Sequence, residues 1–330
     1  MTKGLKLAAA TMLAGCLVLP VAKPADAQTY PSRPVTVILP LPAGGIVDVL
    51  VRRIGKELEA RYKYNVVVEN KPGGNTQLAA NACKSAAPDG YTICLLTMST
   101  MTLNPALYKS VTYDPIKDFT PLTNIAFVEH MVIMHGSVPA NNFKELVEYS
   151  KANPDKLNYG TFGIGGDAHL SFEWMKKATG AKLTHIPYRG SAPAMLAFAR
   201  GEAHLLVLVP GNGTLLEQIK DGKIKALLVE GDRRIDLLPN TPSYKEAGLP
   251  PFPARSWFGL FGPAEMPKAV VDKLGADLAS VIKDPKMQKE FLIPAGLDPV
   301  GNLPAEFARF LPESMAEGKK FVDISGVTIK

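Results

Sequence analysis

From Pro34 onward the chain alternates between two hydrophobic periods. Val35-Thr36-Val37-Ile38-Leu39 is a β-branched run with the character of a buried strand. Ile46 to Arg61 then carries Ile46, Val49, Leu50, Ile54 and Leu58 on one face at helical spacing. Asn65 to Glu69 predicts a second strand, Thr76 to Ala86 a helix and Tyr91 to Leu96 a third strand. Residues 104–124 contain Pro105, Pro115 and Pro121 and predict an irregular crossing. Near Phe127 to Met134 a new strand begins and the rhythm restarts. It runs helix Phe143–Ala152, strand Leu157–Tyr159, helix Ala168–Thr179, strand Leu183–Pro187 and helix Ala192–Arg200, then strand His204–Val209, helix Leu215–Lys220 and strand Lys225–Val229. Pro239 to Pro253, with five prolines, predicts a second crossing. Trp257–Phe261 is one more strand, and Lys268–Lys283 and Pro304–Phe321 are two closing helices.

Strands alternating with helices predict an α/β fold with mainly parallel sheets covered on both faces. Two crossings of similar character predict a chain that leaves one domain, builds a second and returns, with a cleft and a hinge between two lobes. The expected division is residues 28–126 plus 251–330 for the first domain and 127–250 for the second.

The first 27 residues stand apart from this rhythm. Lys3 and Lys6 precede an apolar stretch from Leu7 to Val21, and Ala25-Asp26-Ala27 is a small-x-small cleavage site before Gln28. The stretch is too short and wrongly flanked for a membrane-spanning helix. The expectation is a cleaved signal peptide and a soluble, exported mature chain of 303 residues. Leu13-Ala14-Gly15-Cys16 offers the minor alternative of a lipoprotein anchored at Cys16.

Composition changes the picture only after that cut. The full chain has 37 Lys+Arg against 31 Asp+Glu, a formal +6 that first suggests an anionic partner. Cleavage reduces the balance to +4, and both signs are interspersed without a basic run or an aromatic–basic face. A nucleic-acid partner is therefore not expected. Cys83 and Cys94 survive cleavage, late in a predicted helix and inside the next strand. They are either a disulfide, as an oxidising compartment favours, or two buried free thiols.

Three glycine-rich turns each join a strand to a helix: Pro42-Ala43-Gly44-Gly45, Gly160-Thr161-Phe162-Gly163-Ile164-Gly165-Gly166 and Tyr188-Arg189-Gly190-Ser191. Helix N-termini offer free N–H groups and the positive end of the dipole, and glycine lets the backbone approach a ligand. Three such turns, split between two lobes, point to an anion-binding cleft at the carboxyl ends of the strands. Gly163-x-Gly165-x-x-Ala168 fits a dinucleotide fingerprint, but the acidic residue required about 20 positions later is missing. His130, His135, His169, His185 and His204 show no metal spacing. His169 could face the cleft or serve as a local hydrogen-bonding group. Asp48 could orient the first turn's N–H groups or contact a ligand. No G-x-S-x-G elbow and no phosphate loop occur. The missing catalytic constellation points to a binder rather than an enzyme, with no cofactor and no metal.

The ordered set of motifs resembles a known family. Its N-terminal marks are Tyr30-Pro31-Ser32-Arg33-Pro34, the Pro42–Gly45 turn with Asp48, Val68-Glu69-Asn70-Lys71-Pro72-Gly73-Gly74 and Ala87-Pro88-Asp89-Gly90-Tyr91. Asn104-Pro105, Tyr113-Asp114-Pro115, Lys117-Asp118-Phe119, Leu157-Asn158-Tyr159, Ile186 to Pro193 and Ser256-Trp257-Phe258-Gly259 complete it. Together they resemble the Bug-type solute-binding proteins of tripartite tricarboxylate transporters, over essentially the whole mature chain. The resemblance implies a two-lobed, Venus-flytrap periplasmic protein that closes over a small carboxylate and hands it to membrane permease subunits, working as a monomer. A ligand sensor docking to a membrane signalling receptor is the alternative, and an exported α/β hydrolase a weaker one.

The resemblance also implies the site. One loop per lobe holds a ligand carboxylate: Leu41, Pro42, Ala43, Gly44, Gly45, Ile46, Val47 and Asp48 in the first, and Thr161, Phe162, Gly163, Ile164, Gly165, Gly166, Asp167 and His169 in the second. Tyr188, Arg189, Gly190 and Ser191 line the cleft further, with Thr97 and Thr100 on the first lobe's wall and Pro210 opposite. Arg189 either pairs with the ligand or bridges the lobes. Three departures stand out. Ile46 and Val47 replace small polar residues, the second loop lacks serines, and Val209-Pro210-Gly211 lacks an acidic residue. These changes remove partners for an ammonium group and favour an aromatic or dicarboxylic acid over an amino acid, unless Ile46 and Val47 simply point into the lobe's core.

Overall fold

The computed structural model describes residues 30–211 and 214–329. The expected signal peptide and Cys16 lie outside the described residues.

Among the described residues, eleven strands form two sheets. The first half-lobe runs β1 (Val35–Leu39), α1 (Ile46–Tyr62), β2 (Val66–Asn70), α2 (Gln77–Lys84) and β3 (Thr92–Thr97). A π-helical turn, Ser99–Leu103, leads into the short α3 (Asn104–Leu107) and then β4 (Phe119–Val128). The second lobe follows as β5 (Met131–His135), α4 (Phe143–Ala152), β6 (Asn158–Thr161), α5 (Asp167–Thr179), β7 (Thr184–Pro187), α6 (Ser191–Ala199), β8 (Leu205–Leu208), α7 (Leu215–Lys220) and β9 (Ile224–Val229). The chain returns with β10 (Trp257–Pro263), α8 (Lys268–Ile282), α9 (Pro285–Met287), β11 (Leu297–Pro299) and α10 (Pro304–Ser325). The sheet orders are β11-β4-β10-β3-β1-β2 and β7-β6-β8-β5-β9.

Both sheets are mixed, which corrects the expectation of mainly parallel pairing. β1 pairs in parallel with β2 and β3, but β10 runs antiparallel between β3 and β4, and β11 antiparallel to β4. In the second sheet β6 pairs in parallel with β7 and β8, whereas β5 is antiparallel to β8 and β9. The opposed strands β5 and β10 are each the first strand laid down after a crossing. A chain arriving from the other lobe has no crossover helix to reverse its direction.

Residues 119–124, placed in the irregular crossing on the strength of Pro105, Pro115 and Pro121, belong to strand β4. Pro121 sits opposite Phe261 at a register shift in the β4–β10 ladder, where a missing N–H is tolerated. The actual first crossing is two residues long, Glu129 and His130. Residues 230–256 form the second. The two are tied by backbone bonds from Glu230 N–H to the His130 carbonyl (2.9 Å) and from Val128 N–H to the Ser256 carbonyl (2.8 Å).

α1 and α8 cover one face of the first sheet through Val47, Leu50, Ile54, Leu274 and Leu278. The largest core cluster continues through both lobes, joining Leu96, Met98 and Phe261 to Val132, Leu170 and Phe172 by way of Phe307 and Phe321 on α10. Cys83 and Cys94 are paired as a disulfide within it, linking α2 to β3 with Cα atoms 6.0 Å apart.

Candidate functional site

The first glycine turn fills the space between β1 and α1. Gly44 takes φ +81°, and a Cβ there would meet nothing within 4 Å. The glycine is needed for its backbone angle rather than for space. Gly45 is the extended N-cap of α1 and has no side chain to cap the helix. Asp48 takes the local role. Its Oδ2 accepts the Gly44 N–H (3.0 Å) and the Arg52 Nε–H (3.0 Å), and its Oδ1 accepts from Asn70 Nδ2 (3.2 Å). Asn70 also donates to the Leu41 carbonyl (2.9 Å). The Arg52 bond is the main reason the buried Asp48 carboxyl titrates below its usual range, helped by Gly44 and Asn70 against desolvation. Asp48 therefore braces the turn and has both oxygens occupied.

The second turn repeats this geometry. Gly165 takes φ +77° and Gly166 is an extended, uncapped N-cap with φ −75° and ψ 167°, against −77° and 169° at Gly45. Four residues after Gly165, His169 Nδ1 accepts the Gly165 N–H (3.1 Å), as Asp48 does for Gly44. The shared device is Gly-Gly-x-x-acceptor, with a carboxylate in one lobe and an imidazole in the other. Burial pushes His169 down, so its neutral ring keeps Nδ1 as the acceptor.

A stack of rings lies behind this turn. His169 sits 4.0 Å from His185 at 16°, and His185 4.9 Å from Tyr159 at 15°. Thr161 Oγ1 donates to the Gly163 carbonyl (2.8 Å) and so accepts from His185 Nε2–H (2.7 Å). Burial first, then His169 beside it, pushes His185 down to about 4. The turn's other side lies against the first lobe. Tyr108 Oη donates to the Ile164 carbonyl (2.8 Å), and a Cβ on Gly165 would meet Tyr108, Leu107 and Ile329 within 3.2 Å. Phe162 and Ile164 are exposed.

The third turn is joined to the second by Tyr188 N–H donating to the Thr161 carbonyl (2.9 Å). Gly190, at φ +110°, is the uncapped N-cap of α6, and Ser191 opens that helix. Arg189 is exposed and takes part in none of the ion pairs among the described residues.

Several expected contacts sit elsewhere. Val47 is buried in the first lobe's core and Ile46 packs against the same cluster, so their side chains supply no apolar wall to a ligand. Thr100 is fully buried, and its hydroxyl is shared with Thr97 (3.2 Å) and Thr76 (2.7 Å). These threonines brace the first lobe's wall from within. Pro210 is buried and lies on Gly296, along the seam between the lobes. Asn70 and Asn104 stand in the family motifs, but neither they nor Asn75 and Tyr108 are among the expected site residues. Asn75 Nδ2 donates to Asn104 Oδ1 (2.7 Å), and Asn75 Oδ1 faces Gly166. Asparagines in turns are too common to carry a signal.

The sequence also gave no sign of a cluster at the crossings. His130 Nδ1 lies 3.1 Å from Glu230 Oε2, and its Nε2 lies 3.9 Å from Asp167 Oδ2. Ser256 Oγ donates to the same Asp167 oxygen (2.8 Å), and Asp167 Oδ1 accepts the Ala168 N–H (2.8 Å). These residues are 37 to 126 positions from His130 in sequence, so no local pattern could join them.

Among the described residues, no group of three or more His, Cys, Asp or Glu could hold a metal ion, and no helix is long and apolar enough to cross a membrane. Comparison with known proteins fits this architecture. A UPF0065 protein of Bordetella pertussis is 33% identical over 303 residues, covering 92% of this chain and 93% of that one. The periplasmic binding protein BugD superposes with TM-score 0.83 at 34% identity, over 91% of this chain and all of that one. An R. palustris protein solved with adipate superposes with TM-score 0.84 at 30% identity, over 91% of this chain and 99% of that one. The family model for the tripartite tricarboxylate transporter family receptor matches residues 50–327. The chain is a member of that receptor family, and its two lobes are those of a periplasmic binding protein.

Proposed function

We propose that the protein captures a small carboxylate in the periplasm and delivers it to the membrane subunits of a tripartite tricarboxylate transporter. The observation that carries this reading is the repeated Gly-Gly-x-x-acceptor start on α1 and α5, one in each lobe. In both, the N–H of the first glycine is used internally and the helix opens on an N-cap glycine that has no side chain of its own; in α5 Asp167 Oδ1 takes the Ala168 N–H. An anion placed between two such starts gains hydrogen bonds and two favourable dipole ends. Adipate is held by one relative and malate by another, and the reading takes a dicarboxylate or aromatic acid as the ligand class. The ligand biases the closed state only through contacts that form on closure. The working unit is a monomer in which the lobe ending at β4 and resuming at β10 is hinged, through residues 129–130 and 230–256, to the lobe between them.

A thermal-shift panel of amino acids, aliphatic diacids and aromatic acids tests the reading. Stabilisation by acids lacking an ammonium group is expected, and stabilisation by amino acids alone would sink it. Native mass spectrometry of protein purified from its host would show the retained ligand directly.

A further inference from the structure

The second anion site carries an apparent contradiction. Its helix opens on Asp167, whose carboxylate is fixed at the N-terminus by the Ala168 N–H and by Ser256 Oγ. A fixed carboxylate there competes with a ligand anion for the dipole and repels it. By itself it would favour a ligand bearing an ammonium group. Asp48 raises no such problem in the first lobe, because Arg52 is paired with it.

His130 occupies the corresponding place beside Asp167. It stands on the two-residue crossing between the lobes, almost fully buried, with one ring nitrogen toward Glu230 and the other toward Asp167. Both facing atoms are carboxylate oxygens: Nδ1 is within hydrogen-bond distance of Glu230 at 3.1 Å, and Nε2 approaches Asp167 at ion-pair range, 3.9 Å. We propose that His130 is the counter-charge that makes the second helix start receptive to an anion, and so a determinant of the cleft's preference for carboxylates over ammonium-bearing ligands. The inference rests on the carboxylate-capture reading above.

The surrounding charges are consistent with it. Glu230 faces His130 from the end of β9, Asp167 from the start of α5, and Glu129 adjoins it on its own segment. Glu129 is drawn off by Arg255 (2.9 Å), which also binds Asp298 (3.0 Å). The buried Tyr244 hydroxyl, without a hydrogen-bond partner, adds no charge on the Glu230 side. Burial opposes the imidazolium, but the carboxylates of Glu230, Asp167 and Glu129 outweigh it and raise His130 to about 9. The counter-charge is thus present at neutral pH and is lost as pH rises through about 9.

The test is calorimetric titration with adipate and benzoate as probes, from pH 6.5 to 10, on wild type, His130→Gln, Asp167→Asn and the double variant. Expected are a loss of about tenfold or more in affinity for His130→Gln at pH 7, no loss for Asp167→Asn, and recovery in the double variant. Wild-type affinity should fall above pH 9 while the double variant stays level. Recovery in the double variant separates charge compensation from misfolding, which a second substitution would not repair. Wild-type affinity in His130→Gln, or a double variant as weak as His130→Gln, overturns the inference. Absence of probe binding in every protein, Asp167→Asn included, overturns the carboxylate-capture reading and this inference with it.

Discussion

Gly44 and Gly165 hold the same left-handed backbone in different surroundings. A Cβ at Gly44 enters open space, whereas one at Gly165 strikes Ile329, Tyr108 and Leu107. Gly44→Ala should therefore cost about 1 kcal/mol, the penalty for that backbone region alone. Gly165→Ala should cost more, because the collision adds to it. Urea denaturation of both variants measures the difference, and equal midpoints would contradict the packing described at Gly165. Gly44→Val should abolish ligand binding while leaving the chain folded, since it changes only the turn proposed to hold the anion. Asp48 illustrates what one residue's partners decide. The sequence left it between bracing the turn and touching a ligand, and the Gly44, Arg52 and Asn70 contacts make it a brace.

At the scale of elements, the first strand–turn–helix unit was legible because its signals are local. The β-branched run of β1, the helical stripe of α1 and the glycines between them need no distant partner. The same holds for the α5 unit, whose helix is displaced by one residue from its expected start at Ala168. The first part of β4 is hidden because three prolines in residues 104–124 mimic a loop, and only pairing with β10 makes residues 119–124 part of a strand. The ring stack behind the second turn has its own consequence. His185 is depressed to about 4 from an ordinary 6.5, so the stability it lends is present above pH 6.5 and lost as pH falls through about 4. His185→Phe should remove that part of the acid sensitivity. The difference between wild-type and variant urea midpoints, measured from pH 7 to 3.5, reads it; a constant difference would show that His185 does not titrate in that window.

For the whole molecule, the two crossings and α10 hold the lobes to each other through one continuous core. His130 contributes at this scale as well as to the site. Its raised value means the stability it lends is fully present below pH 6.5 and lost as pH rises through about 9. The disulfide acts on the unfolded chain. It closes a loop 11 residues long, and replacing Cys83 and Cys94 by Ser should cost about 3 kcal/mol, read as a lower denaturation midpoint.

The sequence by itself determined the alternation of strands and helices, the three glycine turns and the family resemblance. Each rests on neighbours within a few positions or on the order of such motifs. Tertiary structure decided the rest. It set the antiparallel direction of β5 and β10, buried Val47 in the core and packed Ile46 against it, paired Cys83 with Cys94, and gathered His130, Asp167, Glu230 and Ser256 at the crossings. Those outcomes depend on which distant segments share a core, and a charge or a thiol carries no mark in sequence of the partner it will meet.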